Sequence, residues 1–156
     1  MKPLNLTIRQ AKREDLSSII DLLHQLSPIT PTDKREPSLY KKTMRRIMRN
    51  HDYYIYVASI EEKIVATATL LVQMNLSHAC KPYGHLENVV TDIKFRGQGI
   101  GNAIVHQLIS EAQRRGCYKV ILNCAPRAIH FYRQCGFYET EEVEMRINLP
   151  SSLYPL

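Results

Sequence analysis

The sequence predicts an α/β fold: one domain with a mixed central β-sheet flanked by helices. Three observations lead there. Runs of β-branched and aromatic residues alternate with apolar stripes at helical spacing, in the order β-α-α-β-β-β-α-β-α-β-β, with no internal repeat or low-complexity linker. A glycine-rich turn, Arg96-Gly97-Gln98-Gly99-Ile100-Gly101, joins a strand-like run to an amphipathic helix. The run Tyr118 to Cys124 is almost continuously apolar, the pattern of a strand covered on both faces. The domain is expected over residues 1–150, with a tail over 151–156.

Each element has its own signal. Leu6 to Gln10 alternates as a first strand, and Asp15 is placed to start a helix with the stripe Leu16, Ile19, Ile20, Leu23 and Leu26. Pro28, Pro31 and Pro37 punctuate a polar loop. A basic helix follows from about Ser38 to Arg49. Tyr53 to Ile60 and Ile64 to Met74 flank Glu61-Glu62-Lys63, which reads as an antiparallel hairpin. A strand from about Gly84 to Thr91 leads through Asp92-Ile93-Lys94-Phe95 into the glycine turn. Beyond it Ile100, Ala103, Ile104, Leu108 and Ala112 form a helical stripe that Gly116 ends. A short helix from about Arg127 to Cys135 follows Pro126. Gly136-Phe137 turns the chain back, and Glu144 to Leu149 alternates as a last strand.

Composition narrows the function classes. With 156 residues, 44% of them hydrophobic and 23% charged, the chain can bury a real core, which excludes disorder. No run approaches the roughly 20 apolar residues of a membrane span, and Met1-Lys2-Pro3-Leu4 leads into a strand without the apolar stretch of a signal peptide. A cytoplasmic protein without membrane contact is expected. Cys80, Cys117, Cys124 and Cys135 form no Cys-x-x-Cys pair and are expected to be reduced. The net charge of +6 concentrates in Lys41 to Arg49, but Leu39, Met44, Ile47 and Met48 interleave with those cations at helical spacing. That describes a solvated helix face rather than a nucleic-acid surface. A basic surface also suits anionic small molecules.

The glycine turn carries the chemistry. Backbone N–H groups at a helix start have no helical partner and can close on a phosphate. Glycines let backbone approach closely, and Arg96 adds a charge-assisted donor. A dinucleotide fingerprint would need Gly or Ala where Asn102 stands, and a Walker loop would need Gly-Lys-Ser/Thr. The form that remains, Arg-x-x-Gly-x-Gly between strand and helix, resembles the coenzyme A pyrophosphate loop of the GNAT N-acetyltransferase superfamily. The segment Ala128-Ile129-His130-Phe131-Tyr132-Arg133-Gln134-Cys135-Gly136-Phe137 agrees with it. More narrowly the chain is similar to the glucosamine-6-phosphate N-acetyltransferases, in Val65 to Leu70, Gly84-His85-Leu86-Glu87, Gly116 to Val120 and Val143-Glu144-Met145.

This resemblance implies a GNAT fold in which parallel strands splay apart to form an acetyl-CoA cleft, with direct acetyl transfer to a primary amine. An ammonium cannot attack, the tetrahedral oxyanion needs a donor, and the departing thiolate benefits from a proton. Glu87 matches the family's active-site glutamate and is expected to act as base through water. A main-chain N–H near Val89 is expected to hold the oxyanion, in a strand that pairs with the pantetheine arm. Tyr132 matches the tyrosine that neutralises the thiolate. Coenzyme contacts are expected from Val89, Val90, Thr91, Arg96, Gly97, Gln98, Gly99, Ile100, Gly101, Ala128 and Phe131.

Substrate contacts carried over from the family are Ser27, His78, Glu87, Asn88, Asn123 and Asn148. Two depart from its pattern: Asn123 replaces an acid, and Asn148 replaces an arginine for the phosphate. The run Asn75-Leu76-Ser77-His78 keeps the family's histidine but lacks its cation. Glucosamine 6-phosphate is thus the first acceptor to test, with another small amine or a peptide amine next, and a non-catalytic coenzyme A-binding module as the alternative without chemistry. His78-x-Cys80 followed by His85 lacks the second ligand pair of a zinc site, and no metal is expected. A homodimer is plausible on the family pattern, with Ser151 to Tyr154 covering a partner.

Overall fold

A computed structural model describes residues 5–27 and 36–149. The expected proline loop at Pro28 and Pro31 and the tail over 151–156 lie outside the described residues. The chain divides into two compact units, Met1–Leu122 and Asn123–Leu156.

In the first unit, strands β1 (Leu6–Gln10), β2 (Tyr53–Ile60), β3 (Lys63–Gln73), β4 (Tyr83–Thr91) and β5 (Val120–Ile121) form one sheet in chain order. The first three junctions are antiparallel and the last is parallel. The expected hairpin turn is Glu61-Glu62, both at positive φ (48° and 69°), as a two-residue connection between twisted strands requires. Helices α1 (Leu16–Leu26) and α2 (Pro37–Arg49) precede β2. A single turn, α3 (Ser77–Cys80), joins β3 to β4, and α4 (Ile100–Arg114) joins β4 to β5.

Side-chain alternation decides which helix covers which face. The Tyr56 hydroxyl donates to Glu111 of α4 (3.2 Å), so the even positions of β2 face α4. Odd positions face the other way: Val57 joins Ala11, Ile19 of α1 and Met44 of α2 in a buried cluster, with Ile55 packed against it. Central β3 is covered on both sides, so Val65 through Leu70 is an unbroken buried run. On α4 the predicted stripe is realised, with Ile104 and Leu108 fully buried, each contributing about 1.5–3 kcal/mol. The cations of α2 are exposed while Met44 is buried, as the interleaving predicts.

Two buried carboxylates are held by arginines. Burial opposes ionisation of Glu111, but hydrogen bonds from Arg114 and Arg115 outweigh it and keep the carboxyl below its ordinary range. Asp15, at the start of α1, accepts a bidentate pair from Arg9 (2.6 and 2.9 Å) and the Lys12 amide (2.7 Å). These hydrogen bonds, Arg9's foremost, hold its carboxyl below the usual range against burial. A carboxyl depressed on folding contributes stability that is complete above its unfolded value and lost as pH falls through the folded one. Asp15→Asn is therefore expected to cost about 1–2 kcal/mol at neutral pH, Arg9 being partly solvated, and to flatten the loss of melting temperature below about pH 4. Thermal melts across that range check it.

Two strand expectations are corrected. The strand over Tyr118 to Cys124 shrinks to Val120–Ile121, and it is not covered on both faces: Val120 is half-buried while Ile121 and Cys124 are exposed. The last strand over Glu144 to Leu149 does not form. A strand exists only by pairing, and among the described residues β5 pairs solely with β4 and 144–149 pairs with nothing. Alternation in that segment survives without its consequence, since Val143, Met145, Ile147 and Leu149 are all exposed. The second unit is built around α5 (Ile129–Gln134), preceded by a 3-10 turn at Pro126–Ala128.

Candidate active site

β4 is irregular where chemistry is expected. Glu87 lies opposite Thr69 and Val90 opposite Thr67, so three steps of β4 span two of β3. The extra residue makes a bulge, with Asn88 at φ 54°. Neither Asn88 nor Val89 has a partner in the register. The regular ladder is interrupted here, at the point of β4 where a backbone donor to the substrate is expected. The bulge also sets directions: Glu87 and Val90 share the face of Thr67 and Thr69, while Thr91, opposite Ala66, lies on the other.

β4 and β5 pair only at Gly84 with Val120 and His85 with Ile121, while β4 runs on to Thr91. The parallel pairing is thus confined to the start of β4, and the stretch from Leu86 to Thr91 has no β5 partner. Beyond it the Asp92 side chain accepts from the Lys94 amide (2.9 Å), capping the short 3-10 turn that leads to Arg96. Gly97 and Gly99 both have positive φ (76° and 79°), which favours glycine. A Cβ at either would meet nothing within 4 Å, so the space over the turn is open to a ligand. Gly101 is already helical, and the first bond of α4 runs from the Ala103 amide to the Gly99 carbonyl (3.0 Å). The amides of Ile100 and Gly101 thus have no carbonyl of the helix to reach. Arg96 Nε donates to the Thr91 carbonyl (3.1 Å), which anchors the side chain and leaves both Nη groups to an anion. Val89, Val90 and Thr91 lie at the end of β4, and Arg96 through Gly101, with exposed Gln98, follow after the short 3-10 turn.

The Glu87 side chain is 50% exposed. Its Oε1 lies 3.3 Å from His85 Nε2, two residues earlier on the same face. Tyr53 of β2 is close enough that burial first, and the Glu87 charge second, push its phenol above the ordinary range. Sequence reasoning missed His85 and Tyr53 as neighbours of Glu87. The spacing of two between 85 and 87 was the available signal; for Tyr53 the strand register was needed.

Among the remaining expected residues, Ser27 caps the end of α1 through its amide to Leu23 and is exposed. His78 belongs to α3, where His78, Ala79 and Cys80 all take positive φ, and its ring stacks on Tyr118 at 4.3 Å. The second unit holds Asn123, Ala128, Phe131, Tyr132 and Asn148. Within it the Tyr132 ring packs edge-on against Phe131 (4.9 Å) and Phe137 (5.9 Å). Asn123 and Asn148 are exposed. Among the described residues no group of three His, Cys, Asp or Glu is placed to hold a metal ion. A groove of about 550 Å³ between α1 and α2, floored by Leu16, Ile20, Tyr40 and Met44, is lined by none of the expected site residues.

A family model described as the acetyltransferase (GNAT) family matches residues 17–137. The chain belongs to this family. Glucosamine 6-phosphate N-acetyltransferase 1 of Oryza sativa subsp. japonica is 34% identical over 85% of the chain and 81% of the relative. The glucosamine 6-phosphate N-acetyltransferase of Trypanosoma brucei brucei is 31% identical over 94% and 97%. The crystal structure of glucosamine-6-phosphate N-acetyltransferase from Arabidopsis thaliana superposes with a TM-score of 0.83 at 30% identity, covering 94% of this chain and 99% of that one. The bulged β4, its short pairing with β5 and the glycine turn before α4 are therefore parts of an acetyltransferase. No helix among the described residues is long and apolar enough to cross a membrane.

Proposed function

We propose that this acetyltransferase moves the acetyl group of acetyl-CoA directly to the amine of glucosamine 6-phosphate, with Glu87 as base. The observation that carries the reading is the half-exposed Glu87 carboxylate beside the β4 bulge, on the strand that runs into an open glycine turn. The turn amides and Arg96 hold the coenzyme's pyrophosphate, assisted by Val89, Val90, Thr91, Ala128 and Phe131. The peptide near Val89, at the bulge, donates to the oxyanion. Glu87, through water, takes one proton from the ammonium so that the nitrogen lone pair can attack, and Tyr132 donates to the departing thiolate.

Acceptor identity is supported by the relatives' names and by residues suited to a sugar phosphate: Ser27, His78 and Asn88. Asn123 and Asn148 supply hydrogen bonds but no charge, and they favour a second reading in which another small amine is acetylated. Release of free thiol from acetyl-CoA, measured with glucosamine 6-phosphate, glucosamine and a polyamine in parallel, separates the two. Preference for the phosphorylated sugar supports the first; equal or better turnover of an unphosphorylated amine overturns it.

Arg96→Ala removes one charged hydrogen bond, so the KM for acetyl-CoA is expected to rise roughly tenfold to a hundredfold with kcat little changed. Initial rates at varied acetyl-CoA check this. The reading includes a cytoplasmic location, where acetyl-CoA and reduced thiols occur together. It also includes a homodimer, supported by the exposed apolar alternation Val143, Met145, Ile147 and Leu149.

A further inference from the structure

The face of β4 that carries Glu87 holds a second ionisable side chain to which the reaction above gives no task. His85 Nε2 is sealed from solvent and makes no hydrogen bond: the ring lies 3.3 Å from Glu87 Oε1, but the two are not aligned. Buried polar atoms in folded proteins nearly always have partners, so an enclosed ring nitrogen facing a carboxylate needs an explanation. A small rotation of the half-exposed Glu87 side chain would supply the missing bond. Among the described residues no other group hydrogen-bonds that nitrogen. His85 lies opposite Leu71 of β3 and Ile121 of β5, Glu87 lies opposite Thr69, and the nearest ionisable group of β2 is Tyr53. The ionisable residues of α1, which packs on β4, are Asp21 and His24, and neither forms a described hydrogen bond or ion pair with the two. On the opposite face, Glu111 of α4 is held by Arg114 and Arg115.

We infer that His85 is a positioning residue for Glu87, its Nε2–H donating to Oε1 so that the carboxylate is fixed and Oε2 is left to take the proton. This rests on the reading of Glu87 as the base. In the step itself the ammonium N–H bond breaks, its electron pair stays on nitrogen as the attacking pair, and the proton reaches Oε2 through water. His85 keeps its Nε2 proton throughout and only orients the carboxylate. Because the donor stabilises the ionised carboxylate, its loss lowers the fraction of ready base at a given pH.

The test compares His85→Ala, His85→Gln and Glu87→Gln in the intact protein, recording kcat, both KM values and the pH profile of kcat/KM. His85→Ala is expected to lower kcat about tenfold, leave the KM for acetyl-CoA unchanged and move the acid limb to higher pH. His85→Gln, whose amide restores a donor near the Nε2 position, returns both toward wild type. Should the alanine variant fail to fold, His85→Met, similar in bulk and without a donor, carries the same expectation. An acid limb that stays in place in the donor-free variant overturns the inference whatever happens to the rate, since a packing role would leave it there. Glu87→Gln with wild-type turnover would end the reading of Glu87 as base and His85's role with it. An inactive Glu87→Gln beside an unmoved limb in the His85 variants overturns the His85 role alone.

Discussion

Glu87→Gln is expected to lower kcat by roughly 10²- to 10⁴-fold, the usual contribution of a positioned general base. Thermal stability and the KM for acetyl-CoA should remain at wild-type values. The fold gives grounds for separating these effects. Glu87 is half-exposed, its close polar contact among the described residues is His85, and Gln has the same shape, so stability should stay within about 0.5 kcal/mol. The proposed coenzyme contacts lie further along the chain, in the backbone at Val89 and in the turn from Arg96 to Gly101, and none uses the carboxylate. A loss confined to kcat therefore reports proton removal, whereas a rise in the acetyl-CoA KM would place Glu87 in coenzyme binding. Steady-state kinetics and a thermal melt on the same preparation distinguish the two.

Gly84→Val is expected to give the largest loss of stability, lowering the melting temperature by roughly 5 °C or more. Gly84 sits where β3, β5 and α4 meet. A Cβ there would come within 2.8 Å of Leu70 Cδ1, 3.2 Å of Val120 Cγ2 and 3.6 Å of the Ala112 Cβ. Leu70 is fully buried and has no solvent into which to swing. The Gly84 amide also donates to the Lys119 carbonyl (2.9 Å), beside the two residue pairs that join β4 to β5. A branched side chain at this point forces those strands apart, and Gly84→Ala should show a smaller effect of the same sign. A valine variant that melts like wild type would mean the junction is looser than its packing implies.

Much of this architecture is legible in the residues. The hairpin, the α4 stripe and the glycine turn are all local patterns, set by alternation, by spacing and by φ values that glycine tolerates. The parts that escape are those that depend on a partner. Residues 144–149 alternate as a strand should, and 118–124 are as apolar as a covered strand, but pairing is a property of two segments and neither has the neighbour its composition invites. The left-handed turn at His78-Ala79-Cys80 is illegible for another reason: none of the three is a glycine, so nothing in the residue types announces positive φ. At the site, Glu87 and the turn follow from motif, while the bulge at Asn88 follows only from the register of β3 against β4. His85 stands between these cases, since its side of the strand is arithmetic but its sealed nitrogen is not.

The most direct measurement is mass spectrometry of the sugar product, with thiol release followed in the same reaction, after incubation with acetyl-CoA and glucosamine 6-phosphate. The account predicts an N-acetylated sugar phosphate formed in equal amount to free coenzyme A, abolished by Glu87→Gln. Tight coenzyme binding with no acetylated product and no thiol above background would contradict it.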